Sequence, residues 1–215
     1  MEAIKRMNVE ENDFKQLFWQ ISPKEIQQTD HNVLLKFAHL LGTEVKDGRL
    51  EISDNMFTLV MDNFYVITAG NEAHYNSMIG SGGGFGLLFR KPASWCVIRT
   101  DRYTLELIQK EQTYTIAYFS DRYKEQLLFL GSQSGRDSRK MEEVELTGIQ
   151  TPSGNMSFKE ARLIFECKLT QITTPDLDDF CTQEARDYIA DAYQKASDYR
   201  KYVFGEVTHV WIKQE

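Results

Sequence analysis

Two hydrophobic periods divide the chain. Through the first 46 residues apolar positions recur at helical spacing, with Phe14, Leu17, Phe18 and Ile21 on one face. Ser22-Pro23-Lys24-Glu25 then has the capping-box pattern with proline at the first helical position, which predicts a new helix from Ser22. After Asp30, Leu34, Leu35, Ala38 and Leu41 form another helical stripe that Gly42 ends. Asp47-Gly48, between Thr43-Glu44-Val45 and Leu50-Glu51-Ile52, predicts a two-residue hairpin because both turn positions tolerate positive φ.

From Met56 onward short β-branched and aromatic runs predict strands over Met56–Met61, Phe64–Ala69, Ala93–Arg99 and Gln112–Phe119, the first two meeting at Asp62-Asn63. Ala161, Leu163, Phe165, Cys167 and Leu169 alternate with Arg162, Ile164, Glu166 and Lys168, which predicts a strand with one buried face. Tyr202–Ile212 is apolar on both faces, so it sits centrally in a barrel or faces a partner subunit. Helices are expected near 104–110, 121–130, 137–145 and 183–199. The organisation read from these patterns is a helical arm with a short hairpin over residues 1–53 and a mainly β domain with helical additions over 54–215. Antiparallel strands with interspersed helices indicate a barrel, not alternating βαβ units.

Charge narrows the chemistry. The 215 residues carry 25 Lys+Arg against 32 Asp+Glu, a net charge of -7, which disfavours nucleic acid as a partner while leaving room for one local anion site. No run is long and apolar enough for a membrane helix, and Met1-Glu2-Ala3-Ile4-Lys5-Arg6 lacks the apolar core of a secretion signal, so a cytoplasmic protein without a membrane partner is expected. Cys96, Cys167 and Cys181 fit neither a disulfide framework nor a zinc site and are read as reduced, mostly buried thiols. His31, His39, His74 and His209 are scattered, so no metal site is expected.

Several motifs fail on their chemistry. Gly80-Ser81-Gly82-Gly83-Gly84-Phe85-Gly86 satisfies neither GxGxxG nor a P-loop, and Gly131-Ser132-Gln133-Ser134-Gly135 has glutamine where a hydrolase elbow needs its nucleophile. No catalytic nucleophile or acid–base pair emerges. Three clusters remain. The strand ending at Arg99 runs through Thr100-Asp101-Arg102-Tyr103 into a helix for which Thr104 is the expected cap, bringing two guanidinium groups to a helix start where free backbone N–H groups attract anions. Two readings stand: a phosphate seat, or arginines paired with surface acids such as Glu106. Ser134-Gly135-Arg136-Asp137, with Ser138, Arg139 and Lys140, is a glycine turn rich in cations. Asn76-Ser77-Met78, leading to Ser81 and the glycines, is either a surface where a flat ligand approaches the backbone or a plain flexible loop.

Taken in order, these clusters resemble the flavin reductase-like, FMN-binding split-barrel family, which includes the flavoredoxins. The resemblance covers about residues 54–213 and rests on Ile67-Thr68-Ala69-Gly70, Tyr75-Asn76-Ser77-Met78, Ile98-Arg99-Thr100-Asp101-Arg102-Tyr103-Thr104, Ser134-Gly135-Arg136-Asp137, Glu160-Ala161 and Phe204-Gly205-Glu206-Val207. It implies a Greek-key split barrel, a homodimer with FMN near the interface, and electron transfer from NADH or NADPH through FMN to an acceptor that the sequence leaves open. A noncatalytic FMN-binding electron carrier is the alternative. The resemblance places the isoalloxazine ring along Asn76, Ser77, Met78, Ile79 and Ser81. It places the ribityl phosphate at Arg99, Thr100, Arg102, Tyr103 and Thr104, with Ser134, Gly135, Arg136 and Lys140 completing the pocket. One departure is that Ser81-Gly82-Gly83-Gly84 lacks the tryptophan common in related sequences.

Overall fold

The computed structural model describes Phe14 and residues 17–21, 44–46, 49–51, 64–196 and 200–213. The helices predicted from Ser22 and over 34–41, the Asp47-Gly48 turn itself, the strand over 56–61 with Asp62-Asn63, and positions 197–199 lie outside the described residues. Ten strands carry the domain: β1 (Phe18–Ile21), β4 (Tyr65–Asn71), β5 (His74–Gly80), β6 (Gly83–Leu88), β7 (Lys91–Arg99), β8 (Thr113–Tyr118), β9 (Gly148–Gln150), β10 (Met156–Phe158), β11 (Leu163–Thr173) and β12 (Arg200–Lys213). β2 (Glu44–Lys46) and β3 (Arg49–Glu51) pair with each other in the register expected around Asp47-Gly48. Over residues 64–196 four α-helices intervene: α1 (Tyr103–Glu111), α2 (Lys124–Ser132), α3 (Lys140–Glu143) and α4 (Gln183–Ala196).

The main sheet runs β5-β4-β8-β11-β12-β7-β6, with β1 added alongside β12, and its ladders are antiparallel. β5 and β6 are opposite edges in this order, yet only Ser81 and Gly82 separate them in the chain. The three Cα steps from Gly80 to Gly83 reach no further than about 11 Å. The edges must therefore come together, and the sheet curls into a barrel that is split where β5 and β6 meet. The Tyr65 hydroxyl and the Val97 amide both donate to the Gly82 carbonyl, at 2.6 Å and 2.9 Å, and fasten the crossing.

Inside the barrel Ile67, Cys96, Ile98, Ile116, Cys167 and Val203 form one core, which Leu105, Leu107 and Ile108 of α1 plug. Burial pushes the Cys96 thiol up, and desolvation holds the Cys167 thiol at about 12, so both are unreactive packing groups. A second core lies on the other face of the sheet, where Leu127 and Leu130 of α2, Ile149 and Phe158 cover Val66, Ala117 and Ile164. Phe14 is fully buried there, edge-on to Trp211 at 5.0 Å between ring centroids.

The strand patterns hold with three corrections. Phe18 and Ile21 have helical spacing but belong to β1, because pairing with Lys213–Val210 captures that segment. The Gly80–Gly86 stretch forms the end of β5 and most of β6; ladder bonds to β7 outweigh glycine's freedom. β11 is buried on both faces near its start, since Ile164 and Glu166 are 0% exposed beneath the second core. β12 is central, as its two apolar faces require, flanked by β11 and β7 and then by β11 and β1.

The buried Glu166 carboxylate survives because donors surround it. Thr151 Oγ1 (2.8 Å) and Asn155 Nδ2 (2.5 Å) donate to one oxygen and Trp211 Nε1 (2.5 Å) to the other. The network ties the β9–β10 hairpin to β11 and β12. Glu166→Ala should leave these donors stranded and lower stability by about 3 kcal/mol, read from the urea midpoint; an unchanged midpoint would show that the network contributes nothing.

Candidate functional site

The strand β7 ends at Arg99, and a tight turn closed by the Arg102 amide donating to the Arg99 carbonyl (3.2 Å) delivers the chain into α1. Arg102 is the N-cap and supplies no side-chain cap. Thr104 is therefore not the cap: it lies inside the first turn, fully buried, and its hydroxyl accepts from Asn76 Nδ2 at 2.8 Å. The helix start keeps its attraction for an anion because no side chain caps it and Glu106, the acid of its first turn, is taken by Arg136.

The arginines divide. Arg99 is held by Asp101 (3.1 and 2.5 Å), so the ion-pair reading applies to it, and Arg136 is held by Glu106 together with the Asp101 carbonyl (2.6 Å). Glu106 pairs with Arg136 instead of Arg102. Among the described residues neither an ion pair nor a side-chain hydrogen bond occupies the Arg102 guanidinium.

Lys140 stands close to Arg102 and is only 2% exposed. Its ammonium donates to the Leu130 and Gln133 carbonyls (3.1 and 3.0 Å), at the carboxyl end of α2, where the helix dipole favours a cation. Those partners carry no net charge. Burial, and then the neighbouring Arg102, push the Lys140 ammonium down to about 8. Two neighbouring cations are thus paired with no carboxylate among the described residues, an arrangement that a bound dianion relieves.

A cleft of about 230 Å³ lies between the start of β5 and the 134–142 segment, with Asn76 and Gly135 in its wall and Arg102 and Lys140 outside its lining. His74, Asn76, Gly135, Ser138, Arg139 and Glu142 line it. Asn76 is 3% exposed and its Oδ1 has no hydrogen-bond partner. Rotating the amide would exchange its two ends and leave the other one unpaired. A Cβ on Gly135 would lie 2.0 Å from Asn76 Oδ1, so the glycine makes room for this amide. Above the helix start, Tyr103 hydrogen-bonds His74 Nε2 at 2.6 Å, and the Arg136 guanidinium covers its ring at 5.5 Å.

Of the residues singled out in the sequence, the fold gathers Asn76, Arg102, Tyr103, Thr104, Gly135, Arg136 and Lys140. Ser134 shapes the turn, its carbonyl accepting from the Asp137 and Ser138 amides, and Thr100 lies exposed in the turn before α1. The side chains of Ser77, Met78 and Ile79 turn away: Ser77 bonds Thr68 at 2.8 Å in the interior, Met78 enters the barrel core, and Ile79 packs against Gly131 of α2. Ser81 is exposed beyond the far end of β5. Arg139 belongs to the cation-rich turn read from the sequence, whereas nothing local marks His74 as part of the site, because its contact with Tyr103 bridges 29 positions.

This donor set fits a phosphate ester: two cations without counter-charges, an uncapped helix start and a buried amide beside them. A model of the flavin reductase-like domain matches residues 62–215. The chain belongs to the flavin reductase-like family. A flavoredoxin from Methanosarcina acetivorans is 14% identical with a TM-score of 0.54, covering 77% of this chain and 76% of its own. An FMN-binding protein from Thermus thermophilus with bound p-hydroxybenzaldehyde is 17% identical with a TM-score of 0.55, covering 80% and 82%. The flavoredoxin of Desulfovibrio vulgaris is 17% identical with a TM-score of 0.53, covering 76% of each chain. No curated protein sequence matches the chain significantly. The described fold is the split barrel of these neighbours, and none of its described helices is long and apolar enough to cross a membrane.

The electrostatics give a pH signature. Lys140 is charged below about 8, and a bound dianion favours that charged form, so anion affinity should be constant from pH 7 to 8 and then fall with rising pH. Phosphate monoesters lose their second proton near pH 6, outside this window. Calorimetric titration with ribose 5-phosphate, a phosphate monoester, from pH 7 to 9.5 checks it; a flat profile would contradict the assignment.

Proposed function

We propose that the chain is an FMN-binding oxidoreductase that passes electrons from NADH or NADPH, through the flavin, to an acceptor still to be identified. The observation that carries the reading is the unneutralised pair Arg102 and Lys140 at the uncapped start of α1. Family membership supplies the class of ligand and the FMN-binding neighbour its phosphorylated form.

Arg102, Lys140 and the first backbone N–H groups of α1 would hold the phosphate, with Asn76 offering its free amide end to the tail. Tyr103, braced by His74 and Arg136, walls one side. When bound, the flavin supplies the hydride and electron chemistry, so the chain needs no nucleophile of its own. What the residues contribute is orientation and a positive field toward the anionic tail. Free Cys96, Cys167 and Cys181 suit a reducing compartment, which supports a cytoplasmic location. The proposed homodimer rests on the family resemblance and on the apolar β12, whose outer-face Tyr202 and Phe204 stay half-exposed. Residues 1–53 are proposed as an arm, of which Phe14 and β1 brace the barrel.

Flavoredoxins among the similar structures support a second reading, an FMN protein that carries electrons without reacting with nicotinamide. Mixing FMN-loaded protein with NADH or NADPH separates the two: bleaching of the flavin absorbance within seconds supports the reductase, persistent yellow the carrier. Arg102→Ala should weaken FMN binding by about 1.5–3 kcal/mol in a fluorescence titration, the range for a hydrogen bond to a charged group. Unchanged affinity would remove Arg102 from the site.

A further inference from the structure

β6 and β7 pair so that Gly84 stands opposite Trp95 and Phe85 opposite Ser94. Ser94, Cys96 and Ile98 are 0% exposed inside the barrel, so the intervening Trp95, Val97 and Arg99 share its outer face. Tyr202 and Phe204 of β12, opposite Val97 and Trp95, continue that face on one side. On the other side it is bare, because Gly82, Gly84 and Gly86 carry no side chains. The Trp95 indole lies across this strip: a Cβ on Gly84 would fall 2.6 Å from its Cζ2 and 2.9 Å from its Cη2, and one on Gly86 3.6 Å from its Cζ3. The ring thus packs beside the glycine positions of β6 and is half-buried on the outer face of the barrel.

We propose that Trp95 is the stacking platform that orients the flavin ring, an assignment that rests on the FMN reading of the phosphate seat. Ser77 and Met78 are buried and Ile79 packs against Gly131 of α2, so none of these side chains offers a flat aromatic face. The strand β7 acts as a ruler. Trp95 and Arg99 lie on one face four residues apart, about 13 Å at strand spacing, which suits a ribityl chain and part of the tricycle. The phosphate seat begins immediately after Arg99, and exposed Ser81 lies at the crossing beside this face. Glycine at 84 and tryptophan at 95 work as one unit, since a side chain on Gly84 would lift the indole off the strand. A planar π-system is the ligand class such a ring accepts, and a lone ribose phosphate would not use it.

The test compares wild type, Trp95→Leu and Trp95→Phe by titration with FMN and with ribose 5-phosphate, following flavin emission for the first and heat for the second. Trp95→Leu should bind FMN about tenfold more weakly, while ribose 5-phosphate affinity stays within about twofold; Trp95→Phe, which keeps an aromatic face, should stay within about threefold for FMN. In the wild-type complex flavin emission should be quenched by contact with the indole, a readout independent of whether the variants fold. Unquenched emission in wild type, or equal FMN affinity and quenching in Trp95→Leu, would overturn the platform. Binding of ribose 5-phosphate without FMN would overturn it too and leave the phosphate seat standing, whereas binding of neither would bring down the FMN reading itself.

Discussion

Ser81 and Gly82 are all that the chain spends in crossing from one edge of the sheet to the other. That short tether dictates the curl of the barrel, and the Gly82 carbonyl, gripped by the Tyr65 hydroxyl and the Val97 amide, locks it. Closure gives the sheet an enclosed face that Ile67, Cys96 and Ile98 fill and that α1 plugs. Because α1 must enter the barrel from the end of β7, its uncapped start is fixed beside β5. The site therefore follows from the closure.

Closure alone does not choose a ligand; electrostatics does. A buried ammonium without a carboxylate is costly, and a guanidinium nearby makes it costlier. The fold meets part of that cost with the carbonyl end of α2, which receives Lys140, and leaves Arg102 uncompensated. Acids are not lacking in this region. Asp101 and Glu106 are at hand, yet they are occupied by Arg99 and Arg136. The chain thus shields two arginines with its own acids and keeps the remaining pair positive, which is the pattern expected of a site whose counter-charge arrives from outside.

Much of this was legible locally. The strand over Lys91–Arg99, the helix after Arg102 and the turn at Ser134-Gly135 are each written in a few neighbouring residues, and their order carried the family resemblance. What stayed hidden depends on partners far along the chain. Phe18 and Ile21 keep helical spacing, but a ladder to Val210–Lys213 makes them a strand. Gly83–Leu88 reads as a loop by composition until β7 supplies its hydrogen bonds. The pleat decides that Ser77 faces Thr68 and that Asn76 faces Thr104, and no motif states which way a pleat points. Lys140 is followed closely by Glu142 and Glu143, so only the fold reveals that neither neutralises it.

The central claim is that charge at the start of α1 selects a phosphorylated flavin. It is tested most directly by titrating the protein at pH 7 with FMN and with riboflavin, which share the ring and differ in the phosphate. Two charge-assisted contacts should make FMN bind about a hundredfold tighter or more. Equal affinities for the two flavins would contradict the account.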